Sequence, residues 1–229
     1  MIPQRDVDIS SDLPAGTAFW MPRREDMSEE GFSYFRDSWL ILDVPPDIAV
    51  IIIDFDVRIA LTIETMSPDA SVFEKYALAI EEERFEDIPG DPFANFPEYA
   101  IEGLELGVSG LAHALAAIGC APAASCRSHE GPDSWSPCPA IEFACDRERF
   151  EWLQPLVRDS GCGFSIDPAR SELLMIIAPS IRGTLDLAKA IISSYATQNP
   201  VFPEPPWRES EPSGAGDPIP HVDGQISLW

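Results

Sequence analysis

The chain has 229 residues, of which 45% are hydrophobic, and its 39 acidic and 15 basic side chains give a formal net charge of -24. This length can bury a sizeable core without help from disulfides or metal ions. Because so acidic a chain repels phosphate backbones and its basic residues are scattered, the composition disfavours direct, non-specific nucleic-acid binding.

The N-terminus gives no sign of export. Met1 to Asp6 lack the basic start and the apolar run that a signal peptide requires. The five cysteines are an odd number, which without such a signal indicates reduced thiols in the cytosol. The longest apolar run, Ile48 to Ile53, is far too short to span a membrane. We therefore expect a soluble, cytoplasmic protein with no membrane partner.

The segment from Trp39 to Glu64 is dense in β-branched residues. Its two apolar parts, "WLILDV" and "IAVIIIDFDVRIALTIE", are separated by Pro45-Pro46-Asp47, a pattern that predicts a strand, a turn and one or two further strands. Asp54 and Asp56 would share one face of such a strand. No third ligand has a spacing that suits a metal site, so we expect both side chains to be solvated on an exposed sheet face.

Two helices are predicted next. The first covers Ser67 to Glu86, with Pro68 and Asp69 in its first turn and apolar residues at helical spacing. The second runs from about Pro97 to Ile118, and Gly119 supplies a left-handed cap. His113 lies on this second helix, where we expect it to be solvated or to pack against another helix.

The later part of the chain alternates between strands and helices. The stretches "APAAS" and "PAIEFAC" are predicted to be strands, followed by a helix that Asp146 caps and Gly161 ends. A hairpin is predicted from "GFSIDP" and "ELLMIIAPS", and a last helix from Ile181 to Ala196. This order predicts an α+β fold, a two-layer sandwich with a mainly antiparallel sheet and helices on one face.

Three parts of the chain are predicted from these elements. Residues 1–96 form an N-terminal α+β part packed on the next part, and residues 97–199 form the sandwich. Residues 200–229 form a disordered, proline-rich linker that carries a terminal binding motif.

A Cys/His loop follows the "APAAS" strand. Cys126 and His129 are separated by two residues and could bind a common zinc ion, with Cys138 or Cys145 completing the ligand shell. Cys145 shares a strand face with apolar residues, however, where a thiol acts as a small hydrophobe. Alternatively, Cys126 is a nucleophile activated by His129, or the two side chains only tie the loop to the strand through hydrogen bonds.

The loop carries two family resemblances. With its flanking elements, residues 111–143, it resembles uncharacterised bacterial domains in which a helix, a glycine and a short strand lead into Ser-Cys-x-Gly-His and a Pro-led strand. Ser128 stands where those domains have glycine. More remotely, Ser125-Cys126 and the polar turn that follows are similar to the Ser-Cys-Ser-Gly signature of wybutosine-type tRNA methyltransferases. The acidic charge argues against a tRNA substrate, so neither resemblance carries an activity over to this chain.

The last residues are Gln225-Ile226-Ser227-Leu228-Trp229. They resemble the Gln-Leu-Ser/Asp-Leu-Phe motif with which replication and repair proteins bind the bacterial sliding clamp, the beta subunit of DNA polymerase III. The resemblance implies that Gln225 hydrogen-bonds to a groove on the clamp while Leu228 and Trp229 fill its apolar pocket. Ser227 fits the small or acidic position, Ile226 replaces the usual leucine, and Trp229 replaces phenylalanine.

These observations predict a binding module, an acidic accessory protein that binds the clamp in replication control, repair or phage-related interference. The alternative is an enzyme or zinc-site protein that uses Cys126 and His129. A further alternative is an inhibitor that mimics DNA through its negative charge.

Overall fold

The computed structural model describes residues 1–27, 42–90, 92–93, 104–129, 134–167 and 170–208. These residues form an antiparallel four-stranded sheet and five α-helices, which confirms the predicted α+β class. The helices are α1 Pro46–Met66, α2 Ala70–Glu81, α3 Ser109–Ala117, α4 Arg147–Asp159 and α5 Ile181–Gln198. The strands are β1 Ala121–Cys126, β2 Ala140–Ala144, β3 Gly163–Ile166 and β4 Leu174–Ile177.

The prediction of strands between Trp39 and Glu64 is wrong over the described residues, because Pro46–Met66 is a single helix, α1. Pro46 suits the first turn of a helix, where its missing N–H costs nothing. The buried positions recur three or four residues apart, so the run has helical spacing despite its β-branched composition. They are Ala49, Ile52, Ile53, Asp56, Val57, Ile59, Ala60 and Ile63. Tertiary packing of this face outweighs the local β propensity.

The two helices predicted next are shorter in the structure. α2 begins after Asp69, whose carboxylate accepts the N–H of Val72 at 3.0 Å, so Asp69 is the N-cap rather than a first-turn residue. The second helix is confirmed only for Ser109–Ala117, and residues 94–103 lie outside the described part of the chain. Gly119 has the predicted left-handed conformation, with a φ of 80°.

The sheet has the strand order β1-β2-β4-β3, and every pairing is antiparallel. The predicted hairpin is confirmed as β3 and β4, and Asp146 caps α4 by accepting the N–H of Arg149 at 2.8 Å. One face of β2, carrying Ile141 and Phe143, is buried in the main core together with residues of all five helices. Within the described residues, α1, α3 and α5 contact one another in this core.

Among the described residues, the N-terminal segment and the segment around Trp207, rather than α-helices, pack on the other face of the sheet. Val7 and Ile9 pack there against Ala140 and Ile177. The same N-terminal segment is tied to the body by the 2.7 Å hydrogen bond from the N–H of Arg5 to the carbonyl of Pro179. No helix in the described parts of the chain is both long enough and apolar enough to cross a membrane.

The folded body continues past the predicted boundary at residue 199. Trp207 is buried against the outer sheet face, and the guanidinium of Arg149 donates a 2.9 Å hydrogen bond to the carbonyl of Pro203. The predicted linker is therefore wrong for residues 200–208. Proline-rich composition misled the prediction, because prolines also suit an extended segment that lies against a folded surface. Residues 209–229 lie outside the described residues.

Candidate metal centre

The side chains of Glu105, Cys126 and His129 converge at the end of β1. Cys126 is the last residue of that strand, and Ser128 turns the chain with a left-handed φ of 66°. Glu105 comes from the segment before α3, and its Oε1 lies 3.2 Å from Nε2 of His129. The other carboxylate oxygen accepts the backbone N–H of Arg127. The strand end, the turn and the segment before α3 thus fix all three side chains.

The spacing of the three groups suits a metal ion. One carboxylate oxygen, one thiol sulfur and one imidazole nitrogen all lie within 4.8 Å of one another. A tetrahedral zinc ion bound at about 2.0–2.2 Å by nitrogen and oxygen and about 2.3 Å by sulfur holds its ligand atoms roughly 3.3–3.6 Å apart. The separation between Glu105 and His129 is already close to this value, so small movements of Cys126 would complete the set.

The thiol of Cys126 is held from two sides. It accepts the N–H of Ser128 at 3.3 Å, and its sulfur lies 3.5 Å from the hydroxyl of Ser134. Cys126 has no exposed surface. A nucleophile must reach its substrate, whereas a metal ligand needs only the metal, so this burial favours coordination over covalent catalysis.

Arg127 anchors the loop to α2. Its Nε and Nη2 atoms donate hydrogen bonds to the two carboxylate oxygens of Glu81 at 2.8 and 2.9 Å, and Nη1 pairs with Glu74. The side chain is only 1% exposed. Burial alone would lower the pKa of Arg127, but the hydrogen bonds and charges of the two glutamates outweigh it and hold the pKa above its ordinary value. The neighbouring residues Cys126 and Ser128 are positioned by this anchor.

A cavity of about 430 Å³ adjoins the imidazole of His129 and runs along the start of α2. This size is within the range of small-molecule sites in proteins. The residues that line the cavity are Pro3, Arg5, Ala70, Ser71, Glu74, Lys75, Leu78, Arg127 and His129.

The structure brings together two of the three residues predicted as metal ligands. Cys126 and His129 are in the group, whereas Cys138 is not, and the sulfur of Cys138 lies 4.0 Å from the hydroxyl of Ser136. Burial raises the pKa of the Cys138 thiol. Cys145 is buried beside Cys120, as expected for a small hydrophobe, and burial raises its pKa as well.

Glu105 was missed by the sequence reasoning. It precedes Cys126 by 21 residues, and no local spacing connects the two positions. Only the packing of α3 on β1 brings the carboxylate to the loop. A usable signal was the acidic residue in the "GLELG" stretch, where an otherwise apolar pattern is interrupted.

The other candidate residues have different positions. Asp54 is exposed on α1, and Asp56 is buried on the same helix, so the predicted exposed sheet face is wrong for both. His113 packs inside the helical layer, with Nδ1 2.8 Å from the carbonyl of Ser109. The predicted clamp-binding residues Gln225, Ile226, Ser227, Leu228 and Trp229 lie outside the described residues.

Comparison with known proteins found no matching family model, no matching curated protein and no matching solved structure.

Proposed function

We propose that the protein binds a zinc ion through Glu105, Cys126 and His129. The observation that carries this proposal is the placement of a carboxylate oxygen, a thiol sulfur and an imidazole nitrogen within 4.8 Å of one another. The sulfur is buried and the other two side chains are partly exposed, 26% for Glu105 and 15% for His129. A metal ion here would be approached from the side of the carboxylate and the imidazole.

The ligand types favour zinc over other common divalent ions. Magnesium and calcium prefer oxygen ligands alone, and a thiolate would be a poor partner for either. A mixed set of sulfur, nitrogen and oxygen is typical of zinc. Three protein ligands leave one tetrahedral position for water or a substrate, which is the arrangement of catalytic rather than structural zinc sites. At such a position zinc polarises a bound oxygen and makes water a nucleophile near neutral pH.

Metal analysis tests the proposal directly. Protein that is stripped of metal with a chelator and then reloaded with zinc is expected to retain about one zinc ion per chain. A preformed site binds the ion without refolding. Cobalt in place of zinc should give the charge-transfer absorption of a cobalt–thiolate bond. Glu105→Gln, Cys126→Ser and His129→Gln should each weaken metal binding by about tenfold or more, because even outer-shell changes at metal sites cost that much.

Two further cysteine variants complete this test. Cys162→Ser changes a buried thiol that is not part of the group and should bind zinc as the wild type does. Cys138→Ser tests whether the Cys138 thiol is a fourth zinc ligand. Loss of zinc binding in this variant would indicate a structural site with four protein ligands. Absence of stoichiometric zinc in the wild-type protein would refute the proposal.

A second function is supported by the sequence of the last residues. We propose that Gln225 to Trp229 bind the bacterial sliding clamp, on the strength of the five-residue resemblance to the clamp-binding motif. Residues 209–224, rich in Pro, Ser, Gly and acidic residues, separate the motif from Arg208. A fully extended segment of this length would span up to about 50 Å, which is enough for the motif to reach a partner while the body stays outside the groove. The two apolar anchors, Leu228 and Trp229, would supply most of the affinity.

Binding to purified bacterial sliding clamp tests this second function. The full-length protein should bind with micromolar affinity, and both the chain lacking Gln225 to Trp229 and the variant with Leu228→Ala and Trp229→Ala should lose binding. Binding that survives loss of the motif and weakens with salt would instead favour the acidic DNA-mimic function. If neither the full-length protein nor any variant binds the clamp, the proposal that the protein binds the clamp is refuted.

A further inference from the structure

The cavity beside His129 gathers an unusual share of the positive charge in this chain. Arg5, Lys75 and Arg127 all line it, although the whole chain has only 15 lysine and arginine residues and a net charge of -24. Lys75 is one of two lysines in the sequence, and it is exposed at the cavity wall. A local concentration of cations in an acidic protein favours an anionic ligand there.

The acidic residues near the cavity are already engaged. Glu74 is paired with Arg127 and lies 3.8 Å from Arg5, and Glu81 receives two hydrogen bonds from Arg127. Arg127 is thereby used to hold these glutamates. Lys75, by contrast, makes no ion pair or hydrogen bond with the described residues. Its ammonium group can therefore take a new partner without breaking an existing contact.

Arg5 connects the cavity to the metal-binding loop. Its guanidinium donates a hydrogen bond to the carbonyl of Ser128, the residue between Arg127 and His129. The side chain is 31% exposed and lines the cavity, and its guanidinium has five N–H donors, more than the contacts with Ser128 and Glu74 use. The start of α2 adds the hydroxyl of Ser71 to the wall. The N-terminus of α2 is already capped by Asp69, so an anion here would depend on side chains rather than on the helix end.

We propose that this cavity binds the oxyanion group of a small molecule, a carboxylate or a phosphate, and holds the molecule beside His129 at the metal centre. The proposal rests on the proposed zinc site, and it names the class of substrate or ligand that the site takes. Lys75 and Arg5 supply the charge, and Ser71 supplies a neutral donor. A cavity of about 430 Å³ admits a metabolite-sized molecule.

The test uses inorganic phosphate and acetate as probes, titrated calorimetrically into the full-length protein with and without one equivalent of zinc, at constant ionic strength. Lys75→Met removes the charge but keeps the apolar stem, and it should weaken probe binding by about tenfold, the size of one charge-assisted hydrogen bond. Lys189→Met changes the other lysine, which is exposed on α5, and should leave binding unchanged. Arg5→Gln should weaken probe binding as well. The melting temperature of this variant checks that the loop carrying Ser128 and His129 stays folded.

The outcomes separate this inference from the zinc proposal. Tighter binding of phosphate than of acetate would identify a phosphate compound, and the reverse would identify a carboxylate; either supports the inference. Zinc retention together with no Lys75-dependent binding of either probe would overturn the inference and leave the zinc site standing. Lys75-dependent binding in a protein that retains no zinc would support the cavity and overturn the zinc site. Binding that Lys75→Met leaves unchanged would show that the probes bind elsewhere or to the metal alone, and would overturn the inference.

Discussion

The backbone N–H of Gly107 donates a 2.6 Å hydrogen bond to the carboxylate of Asp56, which joins the approach to α3 to the middle of α1. The second oxygen of Asp56 accepts the N–H of Gly110 at 2.8 Å. α3 has no side-chain cap of its own among these residues, so a carboxylate from another helix satisfies N–H groups near its N-terminus. A side chain at position 107 would collide with Ile181, and the φ of 84° also favours glycine there.

Stability between pH 4 and pH 6 should depend on Asp56. Burial raises its pKa to about 6, although the hydrogen bonds from Gly110 and Gly107 act in the opposite direction. The folded-state pKa is above the unfolded value of 3.8. The contribution of the protonated Asp56 carboxyl group to the free energy of unfolding is therefore fully present below about pH 4. It is lost as pH rises through about pH 6. The loss amounts to about 3 kcal/mol, because each pKa unit corresponds to about 1.4 kcal/mol.

Urea unfolding of wild type and Asp56→Asn at several pH values measures this effect. The free energy of unfolding of wild type minus that of Asp56→Asn should fall by about 2 kcal/mol from pH 4 to pH 7, most of the full loss. Asp54→Asn, on the exposed side of the same helix, should follow the wild-type pH dependence. A constant difference between wild type and Asp56→Asn across this range would show that the carboxyl group does not titrate in the folded state.

Replacement of Arg127 should destabilise the loop and the protein. Arg127→Met leaves Glu81, which is 12% exposed, without its cation, and leaves Glu74, which is 19% exposed, with only the more distant Arg5. Removing one partner of a buried ion pair costs about 3 kcal/mol or more. The stability of Arg127→Lys should lie between those of the wild type and Arg127→Met. An ammonium group cannot make the bidentate pair of hydrogen bonds that the guanidinium makes with Glu81.

Chemical unfolding compares these variants with Arg158→Met, which removes an exposed ion pair with Asp159. The control should stay within about 0.5 kcal/mol of the wild type. If Arg127→Met is as stable as Arg158→Met, the glutamates on α2 do not anchor the loop.

The end of the folded body can be located by truncation. A chain ending at Arg208 should be as stable as the full-length chain, whereas a chain ending at Asn199 should be less stable by about 3 kcal/mol because it loses the burial of Trp207. Trp207→Ala should reproduce most of this loss. Thermal unfolding of the three versions provides the comparison, and equal melting temperatures would place the boundary at residue 199 as the composition predicted.

The five cysteines should be protected in the native protein. All five are buried, and burial raises the pKa of Cys162 to about 12. A thiol must ionise and be reached in order to react, so Ellman's reagent at pH 8 should modify none of them rapidly before unfolding. In denaturant all five should react at once. Rapid reaction of Cys126 alone in the native protein would instead support the nucleophile hypothesis.

The sequence predicted the elements after residue 118 well because their signals are local. Gly119, the Asp146 cap and the hairpin between β3 and β4 each follow from a few neighbouring residues. α1 was predicted as strands because its β-branched residues have strong strand propensity, and only packing against α3 and α5 shows that it is a helix. Two of the three residues of the candidate metal centre were predictable: the loop supplied Cys126 and His129, whereas Glu105 arrives through tertiary structure.

The N-terminal segment has a consequence for the order in which the molecule assembles. Arg5 is separated by 123 residues from its partner Ser128, and the N–H of Arg5 bonds to Pro179, which is synthesised later still. During translation this segment leaves the ribosome well before Ser128 and Pro179, and it must wait for both before it can dock. Contacts between such distant residues form late because closing a long loop costs entropy before the contact repays it. The wall of the cavity that Arg5 completes is therefore one of the last parts of the protein to be built.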